Sequence, residues 1–285
     1  MTVTVTTPTG HVGARVTRLL VQAGVRPRVL CRDPGRLRDD QVEVRRGDLT
    51  DEGYVVTATR GTEALLCVVP EDLTAADPLA VMDRVSASYA AAVAANGVRR
   101  VVLISSVGAE VRRGAGLIDG LGGAEERLGG TGAAVLALRC GYLFTNLLTD
   151  RDSLLAGSLT TTMTADRPLP WVDPRDVGDI AAARLLAPPG EGFEVQAVHG
   201  PEDLSFARLV AIVGEVLGHE IRLDVITDDE LRAALGGFGM SGPAVEGIVG
   251  MTAGLRDGFA AEQPRDAVST TPTTLRSWAY EHLRS

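Results

Sequence analysis

The stretch Val3-Thr4-Val5-Thr6-Thr7-Pro8-Thr9-Gly10-His11-Val12-Gly13 decides the fold. Its first four β-branched residues predict a strand, and the amphipathic segment 12–24 beyond the turn predicts a helix. In a parallel sheet, such a turn directs the free amide groups at the start of the helix towards a phosphate group. Gly10 would let the backbone approach that phosphate, and Gly13 would let the helix pack closely on the strand.

Strand and helix patterns alternate over the first half of the chain. Short apolar or β-branched runs predict strands at 28–31, 42–45, 64–69, 101–105 and 134–138. The longer segments between them predict helices, at 78–96 and around 124–128. Strict alternation predicts a doubly wound α/β fold, in which helices cover both faces of a parallel sheet.

The regular alternation ends near residue 145. Later patterns predict helices within 171–186 and at 206–217, a strand at 195–198 and a glycine-rich segment at 236–254. We therefore expect a Rossmann-type domain over 1–145 and a smaller substrate-binding lobe over 146–285, integrated with it. The glycine-rich segment is interpreted either as a mobile lid or as a helix pair packed against the lobe.

The charge of the chain restricts its partners. Its 285 residues include 28 basic and 37 acidic ones, for a net charge of −9 at pH 7. This balance argues against nucleic acid and anionic membranes, since both require a cationic face. All 28 basic residues are arginines, so any mechanism that needs a lysine is excluded.

The cysteines and histidines predict neither disulfides nor a metal site. The three cysteines, Cys31, Cys67 and Cys140, are odd in number and lie in or beside apolar runs, which is typical of reduced thiols in a cytoplasmic protein. No cysteine or histidine cluster has the spacing of a zinc site. The sequence begins without a signal-peptide pattern and has no apolar run of about 18 residues, so we expect no membrane segment.

Two positions bear on the choice of nucleotide. The first turn has Thr7 where a dinucleotide fingerprint usually has its first glycine, so a plain tight turn is nearly as good an explanation. Arg32 directly follows the second strand, where an arginine suits the 2′-phosphate of NADP, although a solvated loop arginine is the alternative. Asp48 follows the third strand and would either approach the adenine amine or close an ordinary turn.

Seven motifs carry a resemblance to a known family. Four lie in the first half: Gly10-His11-Val12-Gly13, Cys31-Arg32-Asp33-Pro34, Gly47-Asp48-Leu49-Thr50 and Leu103-Ile104-Ser105-Ser106-Val107-Gly108-Ala109. Three follow: Arg139-Cys140-Gly141-Tyr142-Leu143-Phe144-Thr145-Asn146, Pro170-Trp171-Val172-Asp173-Pro174-Arg175-Asp176-Val177 and Gly200-Pro201-Glu202-Asp203-Leu204-Ser205. Their order over nearly the whole chain resembles the NmrA-like branch of the atypical short-chain dehydrogenase/reductases.

The resemblance implies a Rossmann fold that binds NADPH or NADP. The residues that it assigns to the cofactor are Thr9, Gly10, His11, Val12, Gly13, Arg32, Asp48, Leu49, Val68, Val69, Pro70, Cys140, Gly141, Tyr142 and Leu143. Cys140 stands where the family usually has a proline.

The catalytic residues usual in such enzymes are missing. Most short-chain reductases protonate the substrate oxygen with a tyrosine whose pKa a nearby lysine lowers, and some NmrA-like enzymes place a lysine in the region that here reads Gly120-Leu121-Gly122-Gly123. Ser106 and Tyr142 are the remaining catalytic candidates. A structural serine and a core or interface tyrosine are equally good interpretations of them.

A substrate whose reduced oxygen needs little protonation by the protein would fit the absence of these catalytic residues. A simple ketone yields an alkoxide about as basic as hydroxide, whose conjugate acid, water, has a pKa near 15.7. A quinone yields a phenolate-like oxygen, whose conjugate acid has a pKa of about 10. An aromatic ketone beside a phenol can donate a hydrogen bond to its own developing oxyanion. The candidate substrate-binding residues are Phe144, Asn146, Met163, Trp171, Phe238, Met240 and Met251.

The resemblance therefore implies an NADPH-dependent ketoreductase for a small aromatic polyketide ketone, in antibiotic biosynthesis. A quinone reductase and a non-catalytic NADP-sensing regulator are the alternatives. The oligomeric state is not predicted by any pattern in the sequence.

Overall fold

A parallel sheet forms the centre of the structure, a computed structural model that describes residues 1–37 and 40–284. The strands are β1 (Val3–Thr6), β2 (Arg28–Cys31), β3 (Glu43–Arg46), β4 (Ala64–Val68), β5 (Arg100–Ser106), β6 (Ala134–Cys140), β7 (Tyr142–Leu143), β8 (Ser158–Thr161), β9 (Leu169–Val172), β10 (Phe193–Val198), β11 (Asp203–Leu204) and β12 (Arg222–Val225). The helices are α1 (His11–Gln22), α2 (Glu52–Ala58), α3 (Pro78–Asn96), α4 (Ile118–Gly129), α5 (Arg151–Leu155), α6 (Pro174–Leu186), α7 (Phe206–Leu217), α8 (Asp228–Gly237), α9 (Gly242–Arg256) and α10 (Leu275–His282). Short 3₁₀ turns occupy Pro34–Arg36, Ala109–Val111 and Phe144–Leu148.

Among the described residues, seven strands form one sheet in the order β10-β6-β5-β4-β1-β2-β3, and every pair is parallel. The strand order reverses between β1 and β4, so a crevice opens there at the carboxyl ends of the strands. Successive strand residues alternate between two cores. Leu65 and Cys67 pack with α3 and α4, whereas Ala64 and Leu66 pack with α1 and α6. The predicted doubly wound α/β fold is confirmed.

Most element boundaries fall where the sequence patterns predict them, but β5 and β6 are longer. β6 reaches Cys140 because β10 pairs with it along its whole length, from Val135 opposite Phe193 to Cys140 opposite Val198. The chain beyond residue 146 therefore returns to the main sheet, and α6 packs against α1 on the same layer. The division into 1–145 and 146–285 stays a prediction, with the two parts sharing one sheet.

The glycine-rich segment 236–254 includes the end of α8, a connecting turn and most of α9, and its function as a lid stays a prediction. In α9, Gly250 and Gly254 face the backbone of 114–116, and Gly247 faces the Leu117 side chain. Leu117 N donates to Gly247 O over 3.1 Å, a contact that a larger side chain would separate. At the other end, Ser241 Oγ donates to Ala75 O over 3.1 Å and ties the α8–α9 turn to the loop after β4.

A segment near the C-terminus covers the outer edge of β10. The Gln263 side chain accepts from Ala197 N (2.6 Å) and donates to Val195 O (3.0 Å), in the way a neighbouring strand would. His199 N donates to Ser269 O over 2.7 Å just beyond β10. The free edge of that strand is thereby satisfied. No helix in residues 1–37 and 40–284 is long and apolar enough to cross a membrane.

The contact of α9 with the 114–117 backbone gives the first prediction. A Cβ at residue 254 would lie 2.8 Å from Ala115 Cα, so we expect Gly254→Ala to lower the free energy of unfolding by about 1–3 kcal/mol. Gly236→Ala in α8 is the matched control, because nothing lies within 4 Å of a Cβ there and alanine favours helix. Urea unfolding measures both, and an equal midpoint for the two variants would contradict the prediction.

Candidate functional site

The first turn has the geometry of a phosphate-binding loop. Thr7 adopts a left-handed conformation with φ of +48°, and Gly10 N donates to Thr7 O over 3.1 Å. A Cβ at residue 13 would lie 2.2 Å from Thr7 O, so this position requires glycine. Threonine thus takes the backbone conformation for which the usual fingerprint has glycine, at a cost in strain of about 1 kcal/mol or more.

The start of α1 is open to an anion. Gly10 is its N-cap, and no side chain in the described part of the chain caps it. Most of the other long helices begin with a side-chain cap, for example from Asp77 in α3 and Asp173 in α6. The amides of His11 and Val12 and the positive end of the helix dipole are therefore free for a phosphate.

Two hydrogen bonds fix the crevice where β1 and β4 diverge. Val68 N donates to Thr6 Oγ1 over 2.9 Å, and Thr6 Oγ1 donates to Leu66 O over 3.0 Å. The buried Tyr89 hydroxyl donates to Val68 O over 2.8 Å. These bonds hold the strand end that leads into Val69 and Pro70, two of the residues predicted to line the ribose. No pattern in the sequence indicated that Thr6 or Tyr89 would hold the backbone at this crevice.

The predicted adenosine side lies after β2 and β3. Arg32 is exposed, and no carboxylate in residues 1–37 or 40–284 lies within ion-pair distance of its guanidinium. Hydrogen bonds from Thr50 lower the pKa of the Asp48 carboxyl, and the positive charge of Arg32 adds to this effect. Asp48 Oδ1 accepts from Thr50 N and Oγ1 at 2.8 Å each, so this carboxylate closes a turn. Leu49 is buried beneath it.

The predicted nicotinamide side follows β6. A Cβ at residue 141 would lie 2.4 Å from Pro170 O, which explains the glycine between Cys140 and Tyr142. Burial raises the pKa of the Cys140 thiol to about 12, so this cysteine stays protonated and inert. Cys140 stands where the family usually has proline. It is the last residue of β6 and pairs with both neighbouring strands.

Tyr142 is held by an aromatic cluster. Its ring centroid lies 4.4 Å from that of Trp171 and 6.3 Å from that of Phe206. Trp171 is fully buried and donates from Nε1 to Leu204 O over 3.0 Å. The half-buried Tyr142 therefore has a fixed ring orientation.

The surroundings of Tyr142 are acidic. Burial and the negative charge of Asp150 raise the pKa of its phenol, and Glu71 adds to this, while a hydrogen bond with Asn146 acts in the opposite direction. Burial also raises the pKa of both carboxyls. The Glu71 side chain is still exposed to solvent. This arrangement makes Tyr142 a weaker acid than a free tyrosine.

The other tyrosines lie away from this cluster. Tyr54 donates to Arg45 O of the edge strand β3 over 2.8 Å, and Tyr89 is fully buried in the core. Tyr280 is exposed on α10. Tyr142 is accordingly the tyrosine that the structure brings closest to Asn146 and Asp150.

The two serines at the end of β5 have different surroundings. Ser106 Oγ is half-buried and donates to Val107 O over 2.9 Å. Ser105 Oγ is buried and donates to Glu125 Oε1 over 2.6 Å. Ser105 therefore has a structural role, whereas the Ser106 hydroxyl is still able to accept a hydrogen bond.

Glu125 joins the ends of β5 and β6, and we call the contacts around it the Glu125 clamp. This fully buried carboxylate accepts from Ser105 on β5, from Arg139 Nε (3.0 Å) and Nη2 (2.7 Å) on β6, and from Arg112 Nη1 (2.7 Å). Burial alone would raise its pKa, but the hydrogen bonds from Arg139 and Ser105 hold the pKa of the carboxyl below its usual range. No local pattern in the sequence predicts this clamp, because Glu125 and Arg139 lie on different elements and meet only in the folded structure.

The first turns of α4, where relatives in the NmrA-like branch place a lysine, are tightly packed. A Cβ at residue 120 would lie 2.8 Å from Met82 Cε, and one at residue 122 would lie 2.8 Å from Ala109 O. The glycines at these two positions therefore leave no room for a side chain. Histidine, cysteine and acidic residues form no group suited to a metal ion within the described ranges, 1–37 and 40–284.

The predicted substrate residues are spread over three environments. Asn146 is exposed beside Tyr142, and Met240 and Met251 are half-buried in the α8–α9 hairpin. Phe238 is 85% exposed after α8, with its ring in solvent. A correction concerns three residues that lie in the core: Phe144, Met163 and Trp171. Because they are buried, they do not contact a ligand in this structure and instead support the wall of the site.

Comparison with known proteins agrees with this geometry. A family model described as NAD(P)H-binding matches residues 8–121. The chain is 32% identical over 234 residues to a (4-alkanoyl-5-oxo-2,5-dihydrofuran-3-yl)methyl phosphate reductase of Streptomyces griseus, covering 81% of this chain and 79% of the relative. It is 26% identical over 237 residues to an NAD(P)H azoreductase of Xenophilus azovorans, with the same coverage. The triphenylmethane reductase of Citrobacter sp. has a similar structure, with a TM-score of 0.82 at 19% identity over 100% of this chain and 99% of that one.

The free Arg32 guanidinium gives a prediction about cofactor choice. We expect Arg32→Gln to weaken binding of NADPH about 10- to 100-fold and to leave NADH binding nearly unchanged, because only the former carries a 2′-phosphate. Fluorescence titration of both nucleotides measures the effect. The control is Arg18→Gln, an exposed arginine of α1. An equal loss for both nucleotides would remove Arg32 from the 2′-phosphate site.

The Glu125 clamp gives a prediction about stability and pH. We expect Glu125→Gln to lower the free energy of unfolding by about 3–5 kcal/mol at neutral pH, since it removes the carboxylate from a buried ion pair with Arg139. The pKa of this carboxyl is lowered in the folded state, so its contribution is present above its ordinary pKa of about 4.5 and is lost as the pH falls through the lowered value. The difference between wild type and variant should shrink below about pH 4. Glu126→Gln, at the exposed neighbouring position, serves as the control and should change neither quantity.

Proposed function

Because this chain belongs to the family of NAD(P)H-binding reductases with a Rossmann-type fold, we propose that it is an NADPH-dependent ketoreductase for an aromatic polyketide ketone in antibiotic biosynthesis. The observation that carries the proposal is the environment of Tyr142. Its phenol is buried and lies near the carboxyl groups of Asp150 and Glu71, in a protein without lysine. A phenol with a raised pKa is a weaker acid than the tyrosine of a Tyr-Lys pair, so we infer an acceptor that needs little acid from the protein.

NADPH, when bound, would supply a hydride, which is one proton with two electrons, to the carbonyl carbon. The carbonyl oxygen then needs one proton. In the proposed substrate a phenol next to the ketone donates that proton and is reprotonated from solvent, so atoms and charge balance. An internal hydrogen bond of this kind replaces the function of a protein acid.

The protein's own residues bind and orient. The amides of His11 and Val12 would hold the pyrophosphate, and Arg32 would hold the 2′-phosphate. The Ser106 hydroxyl would donate to the carbonyl oxygen in place of its present bond to Val107 O. The rigid Tyr142 ring would lie against the flat substrate, with Asn146 beside it.

The names of the curated relatives support an acceptor that is not a simple ketone. One is named for an alkanoyl-oxo-dihydrofuran phosphate and the other for an azo compound. A quinone is therefore the second candidate acceptor, since its reduced oxygen has the acidity of a phenol. A non-catalytic NADP-sensing regulator is the third interpretation, and it needs no acid at all.

A matched set of ketones tests the source of the proton. NADPH oxidation is followed with 8-hydroxy-1-tetralone, 8-methoxy-1-tetralone and 1-tetralone, with menadione as the quinone. We expect kcat/KM for the hydroxy ketone to exceed that for the other two ketones at least about tenfold. Turnover of menadione alone would favour the quinone reductase, and tight NADPH binding without turnover of any compound would favour the regulator.

Variants of the two polar candidates test the role of the protein. Tyr142→Phe and Ser106→Ala should each keep kcat on the hydroxy ketone within about tenfold of wild type, because the substrate carries its own acid. NADPH titration shows whether the cofactor still binds. A loss of kcat of about a thousandfold or more in either variant, with NADPH binding intact, would contradict substrate-assisted protonation.

A further inference from the structure

A second concave surface lies outside the crevice, along the edge strand β3. It has a volume of about 470 Å³ and is lined by Arg28, Val44, Arg45, Arg46, Tyr54, Thr57, Ala58 and Arg60, and we call it the arginine groove. None of the residues assigned to the cofactor lines it. Four of its eight lining residues are arginines in a chain with a net charge of −9, so positive charge is concentrated here against the average of the protein.

Two of these arginines already have partners. Arg28 donates from Nη1 to Ala58 O (3.0 Å) and Arg60 O (2.7 Å) and so closes the carboxyl end of α2. Its Nε lies 3.2 Å from a carboxylate oxygen of Glu43, which also pairs with Arg45. One carboxylate thus faces two guanidinium groups.

The other two arginines have no partner. The side chains of Arg46 and Arg60 form no ion pair and no hydrogen bond with any residue in the described ranges 1–37 and 40–284. Four arginines and one glutamate leave three positive charges unbalanced at the groove. Such an excess within one cavity attracts an anion.

Protection of the sheet edge explains only part of this charge. Charged residues on an exposed edge strand prevent pairing with another chain, and Arg45 and Arg46 on β3 serve that purpose. Arg60 lies beyond the end of α2, on the other wall of the groove, where it covers no strand edge. Its presence in the same cavity is not required for edge protection.

A rigid aromatic ring completes the groove. The Tyr54 hydroxyl donates to Arg45 O over 2.8 Å, and its ring packs so closely on residue 47 that a Cβ there would lie 2.4 Å from it. Burial raises the pKa of this phenol to about 12, and the neighbouring Cys31 thiol acts in the same direction. The ring therefore stays neutral and adds no negative charge that would repel an anion.

We propose that the arginine groove binds a small organic phosphate at a site separate from the dinucleotide crevice. Guanidinium groups match the geometry of phosphate oxygens and bind them bidentately, which favours phosphate over a single carboxylate. The cavity volume lies in the range of sites for nucleotide-sized ligands. The neutral Tyr54 ring offers a surface on which a planar group of the ligand can stack.

Calorimetric titration of inorganic pyrophosphate into the NADPH-saturated protein tests the proposal, because bound NADPH occupies the crevice. We expect saturable binding that weakens as KCl is raised. Arg60→Gln and Arg46→Gln should each weaken it at least tenfold, since each removes a charge-assisted contact. Arg18→Gln, which changes the net charge equally on α1, should leave it unchanged.

Absence of saturable pyrophosphate binding would overturn the proposal, as would an equal loss in Arg18→Gln and Arg60→Gln. Citrate binding as tightly as pyrophosphate would overturn the choice of phosphate. NADPH affinity of Arg60→Gln should stay at the wild-type value, which shows that the variant is folded and that the two sites are distinct. Tighter binding of ADP than of pyrophosphate would support a ligand whose aromatic part contacts Tyr54, and equal binding would support a ligand recognised by phosphate alone.

Discussion

The close approach between Gly13 and the carbonyl of Thr7 is the constraint on which the arrangement of this molecule depends. It places the first turn of α1 directly on the end of β1, with Thr7 in a left-handed conformation. The next helix on that layer repeats the device, because a Cβ at residue 178 of α6 would lie 2.6 Å from Arg15 Cγ on α1. Contacts through glycine thus set the distance of α1 from the sheet and the distance between α1 and α6.

A second constraint connects the sheet to the candidate chemistry. The Glu125 clamp holds the ends of β5 and β6, from which Ser106 and Tyr142 extend into the site. The helix that carries Glu125, α4, is also the helix in which some enzymes of the NmrA-like branch, which the sequence resembles, have a lysine. Here Gly120 and Gly122 lie against Met82 and Ala109, and residues 120–123 include no lysine. No lysine of α4 is therefore available to stabilise a phenolate of Tyr142, whose pKa is raised by burial and by nearby carboxyl groups.

Periodicity was enough to predict the sheet and its parallel pairing, whereas the phosphate loop in the first turn stays a prediction. These features depend on local patterns of few residues, such as 3–6 and 78–96, whose boundaries the structure reproduces. The long-range contacts were not predictable in this way. Nothing near Glu125 in the sequence indicates that Arg139 lies against it, and nothing in the β12–β8 pair indicates that those strands meet.

The substrate side was harder to predict for a related reason. Aromatic and methionine residues in the second half were assigned to ligand contact from their chemistry alone, but burial decides which of them a ligand reaches. Trp171 lies behind Tyr142, and Phe238 projects into solvent. The glycines in 236–254 were interpreted as a mobile lid or as a packed helix pair, and two of them, Gly250 and Gly254, lie against the backbone of 114–116. A glycine pattern is ambiguous until its packing partner is known.

The cover over β10 has a consequence for how the chain folds during synthesis. β10 joins the sheet at Phe193–Val198, whereas the Gln263 side chain that satisfies its outer edge emerges from the ribosome some seventy residues later. In that interval a nearly complete parallel sheet presents an unpaired strand edge to its surroundings. The sheet is therefore most exposed to aggregation late in translation, while residues 199–263 are still being added.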